Sequence, residues 1–101
     1  MSLNQLDRAR IRPLIKAEKW TEARAAMANI VAAPEDIEWL AMRAEVEAGE
    51  GKLEAALELY ERVLEVEPDH RGALYNSSVV LSDLGRHEDA MTALEGLVEV
   101  E

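Results

Sequence analysis

The chain has 101 residues, of which 49% are apolar and only 4% aromatic, and it contains neither cysteine nor phenylalanine. That length suits one domain hiding roughly 65% of its unfolded chain's surface, and the lack of cysteine excludes disulfides, thiolate nucleophiles and sulfur ligands for a metal. The net charge is −10, yet residues 1–24 hold six bases against three acids; the strong acidic excess beyond them repels phosphate backbones and anionic lipid, which argues against nucleic acid or a membrane surface as partner.

No run approaches the roughly 18 apolar residues of a membrane span, and the N-terminus lacks the basic-then-apolar order of a secretory signal, so a cytoplasmic protein is expected. The apolar spacing predicts helices over 3–17, 20–32, 35–48, 53–66, 71–84 and 87–100. The first contains Pro13, which removes a helical hydrogen bond, so this segment is expected either to kink there or to fray and start late. The second opens at Trp20, and Pro34 follows it. In the fourth, Ala56, Tyr60, Val63 and Leu64 fall at i, i+4, i+7 and i+8 on one face, while Glu54, Glu58, Glu61 and Glu65 read as its solvated side. Glycines at 49, 51 and 85 and prolines at 34 and 68 mark turns.

A period organises these segments. Gly51-Lys52-Leu53-Glu54-Ala55-Ala56 recurs 34 residues on as Gly85-Arg86-His87-Glu88-Asp89-Ala90, and the match continues through the helix that follows. Upstream, Glu18-Lys19-Trp20-Thr21-Glu22-Ala23 is a third copy, displaced by 33 and carrying Glu18 where the others have glycine. Ala23, Ala56 and Ala90 are expected at close helix crossings, where only small side chains fit.

A 34-residue helix–turn–helix unit with Leu74, Ser78, Leu81, Gly85, Ala90, Leu94 and Leu97 in the last copy, and Ala44, Gly51, Ala56, Tyr60, Val63 and Pro68 in the one before, resembles the tetratricopeptide repeat. Trp39, Met42 and Val46 fit that spacing only with one residue inserted near Gly49-Glu50-Gly51. The resemblance implies a single all-α domain over 1–101, an α–α superhelix with repeats at about 3–34, 35–68 and 69–101. It also implies a non-enzymatic module that binds a protein or peptide in the groove lined by the first helix of each pair. Arg8, Arg12 and Lys16, stacked at i, i+4 and i+8, are the groove candidates at one end, and Tyr75, Asn76 and Val79 those at the other. The second copy places Ala41 and Glu45 between them. The competing reading is that the basic stripe pairs with acids of the neighbouring repeat.

No catalytic constellation, cofactor motif or metal-ligand set is expected. His87 stands where the other copies have Trp20 and Leu53, which suggests half-buried packing, and His70 follows Pro68-Asp69 in what reads as a solvated loop. Ser77, Ser78 and Ser82 suit a helix contact. Stacked repeats commonly end in a polar capping helix, and the sequence stops at Val98-Glu99-Val100-Glu101. The face carrying Met91, Leu94, Leu97 and Val98 is therefore expected either to continue into a longer array, this chain being a fragment of a larger scaffold, or to associate with a second copy as a homo-oligomer.

Overall fold

The computed structural model describes residues 4–30 and 36–100, the side chain of Val100 excepted. Six helices follow one another: α1 (Gln5–Lys16), α2 (Trp20–Met27), α3 (Ile37–Gly49), α4 (Leu53–Val66), α5 (Arg71–Asp83) and α6 (His87–Val100). There is no strand among the described residues. Neighbours in sequence are neighbours in space: α1 packs on α2, α3 on α4 and α5 on α6, and α3 and α5 each also pack on the helix before them. This is an all-α helical repeat.

One turn joins the two helices of every pair. The third residue after the helix donates to a carbonyl five residues back, as Lys19 to Leu14, Lys52 to Glu47 and Arg86 to Leu81, at 2.8–2.9 Å. The residue before it donates three back, as Glu18 to Ile15, Gly51 to Ala48 and Gly85 to Ser82. These are Schellman closures, and they need a left-handed residue at the pivot. Gly51 and Gly85 supply φ of 82° and 81°, whereas Glu18 holds φ 58° with a side chain attached, at a cost of about 1 kcal/mol.

Matching hydrogen bonds fix the register and remove the insertion expected in the second copy. Leu40, Ala44 and Gly51 lie 34 residues before Leu74, Ser78 and Gly85, and Leu40 and Ala44 are buried like their counterparts. Glu47 therefore stands where Leu81 stands in α5. Ala23, Ala56 and Ala90 each donate to the residue closing the turn and are each buried.

Other expectations need correction. The second helix ends at Met27 rather than at 32: Ala28 and Ile30 donate only three residues back, tightening the chain into a turn around Asn29. Pro34 lies outside the described residues. α1 continues through Pro13, beginning at Gln5 with Asn4 Oδ1 accepting from the Asp7 amide, so of the two alternatives the late start is the one that fails. His70 is the N-cap of α5, its Nδ1 accepting from the Ala73 amide at 3.0 Å, as Asp36 caps α3 by accepting from Trp39. His87 is exposed rather than half-buried, because Trp20 and Leu53 lie against the next pair and no further pair follows α6 among the described residues.

The core is split. One cluster joins Ile11, Ile15, Ala23 and Met27 to Met42 and Val46; the other joins Leu40 and Ala44 to α4, α5 and Ala90. α3 contributes to both, from opposite sides.

Candidate functional site

The first helices of the three pairs line one concavity of about 760 Å³. α1 brings Arg12 and Lys16, α3 brings Glu45 and Ala48, and α5 brings Asn76, Val79 and Asp83. Tyr60, reaching through from α4, forms part of its floor. These positions converge because helical residues three and four apart share a face, and because the recurring turn sets α1, α3 and α5 side by side.

Of the six groove candidates, four line this concavity: Arg12, Lys16, Asn76 and Val79. Arg8 lies one turn away and forms an ion pair with Glu38 of α3. Tyr75 is exposed on α5 outside the lining, and Ala41 of the intervening copy is partly buried against the second cluster. Arg12 pairs with Glu45 at 3.3 Å, so two of the three stacked bases do meet acids of the neighbouring repeat. Lys16 forms no ion pair among the described residues and is the base left open to a ligand.

The floor is polar in a specific way. Tyr60 is fully buried and its hydroxyl shares a hydrogen bond with the Asn76 side chain. Burial pushes its pKa well up, and the nearby Glu45 charge pushes it the same way, with Asn76 opposing both. Glu45 is itself held above the usual carboxylate range, because burial outweighs the opposing charge and hydrogen bond of Arg12. A half-buried carboxylate beside a single, long cation contact retains capacity for a donor from outside. The groove thus offers Lys16 and Arg12 to an anion and Glu45 and Asp83 to a cation.

A second polar centre ties the first pair to the next. Arg24 of α2 donates to Glu47 of α3 and to Glu50, the residue capping that helix, at 2.6 Å each, and its Nε reaches Glu50 at 2.9 Å. Lys52 approaches Glu50 at 3.6 Å. The hydrogen bond from Arg24 pulls the Glu50 pKa below the usual range, and the two carboxylates raise that of Arg24. Beside this network, Trp20 lies over Gly49, where a Cβ would overlap the indole. Sequence reasoning missed both features. The signal for the first was an arginine and a glutamate at positions that are leucine in the following copy; for the second there was none, because Gly49, expected to mark a turn, lies within α3 and leaves the positive φ of the turn to Gly51.

Among the described residues no group of histidine, aspartate or glutamate is placed to hold a metal ion, and no helix is long and apolar enough to cross a membrane. A search among curated proteins found no match to this sequence. The family model for the tetratricopeptide repeat matches residues 47–101, more than half of the chain and the whole of α4, α5 and α6. Tetratricopeptide repeats generally mediate protein–protein interaction. With three closures of one hydrogen-bonding pattern, helices paired in succession and the family match over its second half, this chain belongs to the tetratricopeptide repeat family.

Proposed function

We propose that the protein binds an extended peptide segment of a protein partner in the groove formed by α1, α3 and α5, without catalysing a reaction, and that its three repeats, at about 3–34, 35–68 and 69–101, act as one binding domain. The observation that carries this reading is the single concavity spanning all three pairs, lined at one edge by Arg12 and Lys16 and at the other by Asn76 and Val79. Its mixed charge favours a segment bearing both signs: an acidic group toward Lys16, a basic group toward Glu45 and Asp83. Arg8 contributes by positioning, holding α1 against Glu38, and Tyr75 extends the contact surface beyond the rim.

The test is affinity capture with Lys16→Glu and Asn76→Ala variants beside wild type, with Glu61→Lys on α4, away from the groove, as control. Loss of the same partners from both groove variants and their retention by the control supports the reading. An unchanged partner set in both groove variants overturns it.

A further inference from the structure

The outer faces of α1 and α6 match in repeat register and are opposite in charge. The register set by the turns places Met91, Leu94 and Val98 of α6 where Leu57, Tyr60 and Leu64 stand on α4. On α4, Leu57 and Tyr60 are 6% and 2% exposed beneath α5; on α6, Met91, Leu94 and Val98 are 62%, 41% and 71% exposed. Leu97, their neighbour, is half-buried. The face that α5 turns to this seam includes Ala73, Ser77 and Val80, all buried. Carried back to α1 by the same register, those positions are Leu6, Arg10 and Pro13, all exposed, Leu6 at 72%.

The charges are opposed. α6 carries Glu88, Asp89, Glu95 and Glu99 with no lysine or arginine, while α1 carries Arg8, Arg10, Arg12 and Lys16 against one acid, Asp7. A two-fold contact of α6 on α6 would bring four acids against four acids, which costs energy at close range. A head-to-tail contact brings the acidic helix against the basic one and repeats the arrangement of α5 on α4.

We propose that a second copy of this chain docks head to tail, its α1 lying on α6 of the first as the next first helix of the array would, with Leu6 and Pro13 on the Met91–Leu94–Val98 face and Arg10 facing the acids that border it. Such a contact leaves each copy with one free end, so it propagates rather than closing at a dimer. The surface meets the groove only at Pro13, which also lines the concavity; Leu6, Arg10, Met91, Leu94 and Val98 lie outside that lining, so docking there does not require the groove to be occupied.

Two end-blocked variants test this. Leu6→Glu with Arg10→Glu disables the α1 face; Met91→Glu with Leu94→Glu disables the α6 face. All four side chains are exposed, and circular-dichroism melts establish that both variants fold. Light scattering on the wild type is expected to show mass rising with concentration, with association weakened about tenfold or more between low and high salt. Each variant alone is expected to remain monomeric, and their equimolar mixture to stop at the dimer, because only one productive pair of faces remains. A wild type that stays monomeric at every concentration overturns the proposal. So does self-association of the α1-blocked variant, which would establish a two-fold contact through α6, or a folded mixture that fails to pair.

Discussion

The junction between the first and second pairs differs from that between the second and third. At the second junction, Leu57 and Tyr60 of α4 meet Ala73 and Val80 of α5 within one apolar cluster. At the first, the position of Leu57 is held by Arg24 and that of Leu81 by Glu47, whose side chain is only 11% exposed. The fold thus uses two solutions at one seam. An apolar contact tolerates many sequences of similar volume; an ionic one needs both partners, because a carboxylate left alone in a nearly closed site is costly. The first pair should accordingly be the less stable region, with amide protons of α1 and α2 exchanging before those of α4 and α5.

The largest effect expected from breaking this comparison is on the apolar side. Ala56→Leu places a branched chain at a fully buried crossing and should lower stability by about 2–3 kcal/mol, read from urea denaturation; an unshifted midpoint would mean that the crossing lies elsewhere. On the ionic side, Arg24→Met strands Glu47. Because Arg24 is 44% exposed, the loss is expected at about 1–2 kcal/mol rather than the larger figure for a buried pair. Arg24→Leu combined with Glu47→Leu should recover most of that loss by making the first junction like the second. If the double variant is no better than Arg24→Met, the two seams are not equivalent.

Smaller effects sharpen the comparison. Glu18→Gly removes the left-handed strain peculiar to the first pair and should stabilise it by about 0.5–1 kcal/mol, while Gly85→Ala at the corresponding position should destabilise by a similar amount. The smallest concerns acidity. Arg24 depresses the Glu50 pKa, so its contribution is complete above the ordinary carboxylate range and is lost as pH falls through the lowered value. Glu45 runs the other way: its raised pKa means that ionisation disfavours the fold as pH rises from the ordinary range through the raised value. Glu45→Gln should therefore stabilise slightly near pH 7 and do nothing in strong acid, whereas Glu50→Gln should cost stability near pH 7 and little in strong acid. Melting curves at two pH values separate them.

The second half of the fold was legible in the sequence because each of its positions carries an ordinary choice: glycine at the pivot, alanine at the crossing, leucine at the seam. The first half was harder to read, since Glu18, Glu47 and Arg24 each replace the ordinary residue and make sense only when seen together. With Glu47 at the leucine position, the apolar spacing is carried instead by Trp39, Met42 and Val46, which fit the repeat only with one residue inserted near Gly49; Leu40 and Ala44 at the true register remove that insertion. Gly49 answers to Trp20, 29 positions earlier, and local spacing has no access to so distant a partner. Arg12, Lys16, Asn76 and Val79 were recoverable because a helix face is a local property. The Tyr60–Asn76 bond was not, because Tyr60 belongs to a second helix and helical periodicity assigns it simply to the core.

α3 is a shared wall with two unlike sides: toward α2 its apolar contacts are joined by the Arg24 ion pairs, and toward α4 they belong to the apolar cluster. Added salt loosens the Arg24 latch and leaves the hydrocarbon seam tight, so bending should concentrate at a single place along the array. That place lies between the edge carrying Lys16 and the edge carrying Asn76, so ionic strength is expected to change how wide the concavity stands.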